Sequence, residues 1–197
     1  LGNKAQTSKL ISVCAATGEI ATEWLDGHDF QEYLDLYKKR KISETLALDF
    51  VHQLAQTVYV FRTNGVAHKK LTFNNIIITP DNKVFVIDFA HARTKKCAKL
   101  NDFACEAEYA NDCVNLFKVM NALIPITKWD DELDTRRHYE FFASALHTAS
   151  TSKYPFRDVV STALIDILQF TETDRQYQKT KYHSRLFPHR GHVGKDD

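Results

Sequence analysis

Apolar and polar positions in the first part of the chain predict a hairpin and a short helix. Two short apolar runs, at residues 10–14 and 19–25, lie on either side of an Ala-Thr-Gly turn and predict two paired strands. Asp29 precedes Glu32 by three residues, which is the spacing of a capping box. This signature predicts a short helix that runs to about Lys38.

The middle of the chain changes from helical to strand periodicity. Ser43 predicts the N-cap of a long helix, and Gly65 predicts its left-handed C-terminal cap. The apolar face of that helix is formed by residues at helical spacing, Leu46, Phe50, Leu54, Val58 and Phe61. Residues 75–79 and 83–87 are rich in β-branched and aromatic side chains, and residues 80–82 between them have turn chemistry. Two paired strands are therefore expected here.

Helical periodicity returns in the second half of the chain. After an irregular stretch that follows Asp88, it predicts helices that begin near Glu106 and that include residues 138–146 and 159–168. Residues 179–197 are basic and carry little apolar patterning, which predicts a mobile tail. Together the elements predict an α+β fold that is mainly helical.

Composition excludes several classes of protein. The 197 residues are 44% hydrophobic and 26% charged, which is enough for a core without disulfides or metals. A net charge of +1 gives no strong reason to expect nucleic acid as a partner, and no apolar run is long enough to predict a membrane span. Four cysteines without a Cys-x-x-Cys pair favour reduced thiols in a cytoplasmic protein over a zinc site.

The residues with the most specific chemistry lie between positions 65 and 90. Asn75 begins the first predicted strand, and Asp88 directly follows the second. An amide oxygen and a carboxylate that two adjacent strands aim at one point form a hard oxygen site suited to magnesium. Each residue also has a structural alternative, Asp88 as a turn former and Asn75 as a tie to the loop backbone.

The segment His68-Lys69-Lys70-Leu71-x-x-x-Asn75, followed by Asp88-Phe89-Ala90, resembles the catalytic and magnesium loops of the protein-kinase-like superfamily. The family pattern is His-Arg-Asp-Leu-x-x-x-Asn and then Asp-Phe-Gly. The resemblance implies a kinase-like C-terminal lobe over residues 28–178, and residues 1–27 would be a remnant hairpin of the small lobe with the hinge.

The same resemblance implies roles for individual residues. Asn75 and Asp88 would hold magnesium, and Glu23 and Leu25 would lie on the hinge that holds adenine. His68 would be a structural anchor. Asp112 would open the large central helix and support the catalytic loop from there. The sequence Ala104-Cys105-Glu106 is similar to the family's Ala-Pro-Glu.

Two departures from the family pattern argue against activity. Lys70 occupies the position of the catalytic Asp, and an ammonium group cannot accept a proton; losing a general base costs roughly a hundred- to ten-thousand-fold in rate. Lys70 is then expected to be a solvated charge, and the alternative is a reprogrammed catalytic lysine. The chain also contains no Gly-rich phosphate loop and no strand lysine in a Val-Ala-x-Lys context. Weak binding of ATP and magnesium is therefore expected.

We therefore expect a pseudokinase or kinase-lobe mimic that acts by binding protein, with another kinase or an upstream small lobe as partner. The alternative is an ATP-dependent phosphotransferase whose small lobe lies upstream of this segment. Only the hairpin of residues 10–25 is left to cover the predicted strands and loop, so part of the apolar area of Ile76, Ile78, Val86 and Phe89 should be open to water. We expect this face to be covered by an upstream small lobe, a second copy of the chain or the lobe of another kinase.

Overall fold

The computed structural model describes residues 5–94, 103–130, 134–152 and 157–186. Within these ranges the chain is mainly helical, as expected. The helices are α1 Phe30–Tyr37, α2 Glu44–Thr63, α3 Phe103–Leu123, α4 Thr135–Thr151 and α5 Arg157–Leu186. The strands are short: β1 Leu10–Cys14, β2 Glu19–Thr22, β3 His28–Asp29, β4 Ile42–Ser43, β5 Val66–Ala67, β6 Ile76–Ile78, β7 Val84–Val86, β8 Arg93–Thr94 and β9 Thr127–Lys128.

Helix α2 lies at the centre of the core. It packs against α3 and α5, while α4 packs against both of these helices. The apolar stripe that predicted α2 is buried here except for Leu46, which is half-buried. The facing helices contribute large buried side chains, among them Leu116, Met120, Tyr139, Leu146 and Leu164. Burial of this apolar surface is the main stabilising term, at about 25 cal/mol for each Å². None of the described helices is both long and apolar enough to cross a membrane.

The helix caps confirm the local predictions. Asp29 Oδ1 accepts a hydrogen bond from Glu32 N at 2.8 Å, and Glu32 Oε2 accepts one from Asp29 N at 3.3 Å. These two bonds form the complete capping box of α1. Ser43 Oγ caps α2 by accepting from Leu46 N at 3.2 Å. Gly65 follows α2 with a φ of +71°, a left-handed conformation that costs glycine little.

The strands place two functional loops side by side. β6 and β7 pair in antiparallel register, with Ile76 opposite Val86, and β3 adds a third strand along β6. Gly27 lies so close to β6 that an added Cβ atom would be 2.4 Å from the carbonyl oxygen of Ile78. Only glycine therefore allows the chain to pass from the hairpin into α1 at this point.

The hairpin formed by β1 and β2 is confirmed, and it stands apart from the core. All residues from Lys9 to Trp24 are exposed, on both faces of the hairpin. On its N-terminal side the chain is held by Gln6, whose carbonyl oxygen accepts from Val86 N at 3.0 Å. The hairpin therefore borders the β6–β7 region without being buried in it.

The prediction that Asp112 opens a helix is wrong. Helix α3 begins at Phe103, and Asp112 lies near its middle. Residues 103–111 include three alanines and neither glycine nor proline, so nothing local stops the helix from starting earlier. The irregular stretch before it falls on residues 95–102, which lie outside the described residues.

The last helix is longer than predicted. The pattern at residues 159–168 indicated one helix, but α5 runs from Arg157 to Leu186 and so includes the first eight residues of the predicted tail. Residues 169–186 contain no proline or glycine, and the first proline beyond them is Pro188, which accounts for the extension. The rest of the predicted tail, residues 187–197, lies outside the described residues.

The predicted open face is wrong for three of its four residues. Ile76, Ile78 and Val86 are buried in the core, and only Phe89 is exposed, at 38%. Strands alternate their side chains, so β6 turns Ile76 and Ile78 toward the core. Four large apolar side chains of the hairpin, Leu10, Ile11, Val13 and Ile20, are exposed instead.

Candidate functional site

The loop that follows β5 is fixed by Asp112 of α3. Asp112 is buried, its Oδ2 accepts from His68 N at 2.7 Å, and its Oδ1 accepts from Lys69 N at 2.9 Å. Burial raises the pKa of the Asp112 carboxyl to about 6, although the two backbone N–H groups oppose the rise. The carboxyl therefore supports the loop from the middle of a helix, whereas the sequence placed it at a helix start.

His68 connects this loop to the one after β7. The side chain is fully buried, with Nε2 2.9 Å from the carbonyl oxygen of Ile87 and Nδ1 3.3 Å from Lys70 N. A carbonyl requires a donor and an N–H requires an acceptor, so the ring carries its proton on Nε2. Burial holds the pKa of His68 below its usual value, which keeps the ring neutral. Its contacts are those of a structural anchor.

Asn75 and Asp88 come together because of the β6–β7 register. Ile87 N donates to the carbonyl oxygen of Asn75 at 3.0 Å, so the residues just outside the paired strands are adjacent. Asn75 Nδ2 lies 3.4 Å from Asp88 Oδ2 and donates to the carbonyl oxygen of Lys70 at 2.9 Å. The amide nitrogen is thus held by the loop, and the side chains of the two candidate metal ligands meet.

Asp88 adopts a left-handed backbone conformation, with a φ of +61°. Its Oδ1 accepts from Ala90 N at 3.3 Å, a local bond that offsets the cost of this conformation. The Ala90 N–H and then the Lys70 ammonium hold the pKa of the Asp88 carboxyl below its ordinary value. Asp88 is therefore a carboxylate at neutral pH.

Lys70 directs its ammonium group at this carboxylate. Its Nζ lies 3.3 Å from Asp88 Oδ2, and the two side chains are 46% and 34% exposed. The residue at the candidate base position is therefore a cation that neutralises a candidate metal ligand. Sequence reasoning identified both residues but missed their contact.

A cavity of about 910 Å³, called the cleft below, opens beside these loops. The predicted hinge residues Glu23 and Leu25 line it, together with Asp88; Asn75 and Lys70 do not. The sequence analysis missed further lining residues, including Leu10, Ile20, Trp24, Asn74 and Ile77. Ile77 could have been found, because strand alternation turns it away from the buried Ile76 and Ile78.

The donor atoms fit magnesium in type but not in number. Carboxylate and amide oxygens are hard ligands of the kind that magnesium prefers. Among the described residues, however, no group of three or more His, Cys, Asp or Glu side chains is placed to hold a metal ion. A metal at Asp88 and Asn75 would need oxygens from its ligand or from water, and Lys70 would have to leave Asp88.

A buried ion pair fastens α3 to α2 behind the site. Arg62 Nη2 and Glu106 Oε2 are 2.5 Å apart, and their side chains are 4% and 6% exposed. The Arg62 guanidinium also lies over the ring of Tyr109, 5.7 Å from its centroid. Glu106 belongs to the stretch resembling Ala-Pro-Glu, in which the side chains of Ala104 and Cys105 lie outside the described residues.

The described residues form a helical domain in which two loops lie side by side. One loop has the His-x-x-Leu sequence and is held by Asp112, and the other contains the Asp-Phe turn. This arrangement is that of a protein-kinase-like domain. The family model of protein tyrosine and serine/threonine kinases matches residues 3–110, which is more than half of the chain, and the chain belongs to that family. The match includes the hairpin and both loops, and it ends two residues before Asp112. No curated protein matches the chain.

Proposed function

We propose that this kinase-family chain is catalytically impaired and acts by binding other proteins. The observation that carries the proposal is the ion pair between Lys70 and Asp88, with Nζ and Oδ2 at 3.3 Å. Phosphoryl transfer depends on a carboxylate that orients the substrate hydroxyl and accepts its proton. A lysine ammonium at that position can do neither, because it has donors and no acceptor.

The same ion pair argues for weak binding of magnesium and nucleotide. If Asp88 and Asn75 held a magnesium ion, that ion would neutralise part of the negative charge of the phosphates. The Lys70 ammonium already neutralises Asp88, and it would repel a divalent cation at the same carboxylate. The dissociation constant for magnesium–ATP is therefore expected to be in the high micromolar range or weaker, on the order of 100 µM or more.

The exposed hairpin supports a protein partner. Its apolar residues Leu10, Ile11, Val13 and Ile20 are all exposed, and Trp24 beside it is 87% exposed. Large apolar side chains grouped on one exposed element are typical of surfaces that another protein covers. The lobe of another kinase, or a small lobe joined upstream, has the sheet edge and apolar face needed to pair with this hairpin.

A second function, ATP-dependent phosphotransfer, is favoured by one observation. The cleft has the volume of a cofactor site, and Asp88 lines it together with Glu23 and Leu25. In this case the remaining phosphate-binding groups would come from a lobe upstream of the segment.

A phosphotransfer assay separates the two functions. The purified chain is incubated with radiolabelled ATP and magnesium, with itself and a generic protein as substrates, beside the Asp88→Ala variant. We expect incorporation no higher than in that variant, and no recovery in Lys70→Asp, because the new carboxylate alone does not supply the missing phosphate contacts. Phosphoryl transfer that Asp88→Ala abolishes would establish the second function.

A further inference from the structure

A groove of about 570 Å³ lies between α4 and α5 and shares no lining residue with the cleft. His138 and Phe142, one turn apart, line it from α4, and the residues from α5 are Asp166, Gln169, Phe170, Thr173, Asp174 and Tyr177. On α5 the spacing from Asp166 to Phe170 and on to Asp174 is four residues each time, so these side chains share one helix face. The two helices therefore place aromatic and acidic side chains together in one groove.

The aromatic side chains form a continuous wall. The ring centroids of Phe142 and Phe170 are 5.0 Å apart with 31° between the ring planes, and His138 lies 6.4 Å from Phe170. Tyr177 is 51% exposed and lines the same groove about two helical turns beyond Phe170 on α5. Such rings attract a cation that lies within about 6 Å of their centroids.

The charge of the groove is negative. Asp166 and Asp174 line it, and no lysine or arginine does so among the described residues. Asp174 Oδ1 lies 3.5 Å from the hydroxyl of Thr135, at the start of α4. On α4, Arg136 pairs with Glu140 at 2.8 Å and Arg137 pairs with Asp134 at 3.7 Å.

The buried carboxyl of Glu44 is electrostatically coupled to Asp174 of the groove. Burial raises the pKa of Glu44, and the negative charges of Asp174 and Asp130 add to the rise. Glu44 Oε2 accepts from Asp130 N at 2.8 Å, so this group is held in place. The field in the groove therefore favours a positive ligand.

We propose that the α4–α5 groove binds the guanidinium group of an arginine side chain carried by a partner protein. A guanidinium is planar and weakly hydrated, so it can stack on aromatic rings and donate to a carboxylate at the same time. An ammonium is more strongly hydrated and gains less from the rings. His138, Gln169, Thr173 and Tyr177 are exposed, so the groove is open on one side and can admit a side chain that projects from a longer chain. The proposal is independent of the function proposed for the cleft.

The test is a calorimetric titration of the full 197-residue chain with a capped Gly-Gly-Arg-Gly-Gly peptide. The matched comparison is the same peptide with citrulline, which has nearly the shape of arginine and no charge; a lysine peptide is the third probe. We expect saturable binding of the arginine peptide, at least about tenfold tighter than the citrulline peptide, with the lysine peptide between them.

Variants locate the binding site. Asp166→Asn and Tyr177→Ala, both at partly or fully exposed positions, should each weaken binding of the arginine peptide by about fivefold to tenfold. Leu36→Ala, at an exposed apolar position of α1 outside the lining, should leave the affinity unchanged. Equal affinity for arginine and citrulline, no saturation at about 10 mM peptide, or indifference to both groove variants would overturn the proposal.

Discussion

Replacing Lys70 with methionine should increase the contribution of magnesium to nucleotide binding. The methionine keeps most of the side-chain length and removes the charge that lies 3.3 Å from Asp88 Oδ2. Both side chains are more than one-third exposed, so the dielectric is close to that of water and the pair is worth about 1 kcal/mol. That energy corresponds to about a fivefold change in affinity for a cation at the carboxylate.

The assay is calorimetric titration with ADP, in magnesium and in a metal chelator at matched ionic strength. The quantity compared is the ratio of the dissociation constants of ADP in the two conditions. This ratio separates the contribution of the metal to binding from the contribution of the nucleotide alone. Lys83→Met is the matched control, because Lys83 also forms an ion pair with an aspartate, Asp81, at 2.6 Å in an exposed turn. The ratio of the dissociation constant in chelator to the dissociation constant in magnesium should increase about fivefold in Lys70→Met and stay constant in Lys83→Met. An unchanged ratio in Lys70→Met would show that the ammonium does not compete with the metal.

Three further predictions concern stability and surface. Glu106→Gln should lower the free energy of unfolding by about 3–5 kcal/mol in urea titrations, because it leaves the buried charge of Arg62 without its carboxylate; a loss below about 1 kcal/mol would contradict this. Asp112 has a pKa of about 6 in the fold against an ordinary value of 3.8, so the folded state binds more protons between these values and stability should fall as pH rises through that window, by up to about 3 kcal/mol. Asp112→Asn should lack this dependence in urea titrations across the same pH range, and an identical slope in both proteins would refute the assignment. Ile11→Lys or Ile20→Lys should reduce binding of a hydrophobic dye and any self-association seen by light scattering, without altering the melting temperature, since both side chains are exposed.

Local signals made much of the fold predictable. Three features depend only on residues within a few positions of one another: the bonds of Asp29 with Glu32, the Ser43 cap and the left-handed Gly65. Because their causes are local, these helix ends can be predicted from the sequence alone. The start of α3 shows two signals in conflict. Periodicity predicted a helix from near Glu106, three residues after the observed start at Phe103, whereas the resemblance to the family suggested a boundary at Asp112. Asn111 and Asp112 have the side chains of N-cap residues, but the helix runs through them.

The site was predictable as a set of residues but not as a set of contacts. The motif spacing identified His68, Asn75 and Asp88, and strand pairing explains why Asn75 and Asp88 meet. The contact between Lys70 and Asp88 depends on the loop backbone, which Asp112 fixes from a helix more than 40 positions away. The α4–α5 groove likewise depends on how two helices pack, which periodicity within either helix does not determine.

The exposed β1–β2 hairpin has a consequence for how the protein moves. Two strands with neither face buried have little stability of their own. This hairpin contacts the rest of the protein on one side through the hydrogen bond at Gln6 and on the other through the close packing of Gly27. Its amide hydrogens should therefore exchange with solvent through local opening, while those of α2 should exchange only when the whole core unfolds. Because Leu10 and Ile20 line the cleft, local opening of the hairpin also opens one wall of the cleft. A ligand or partner that contacts the hairpin would slow the exchange of these amides and leave those of α2 nearly unchanged.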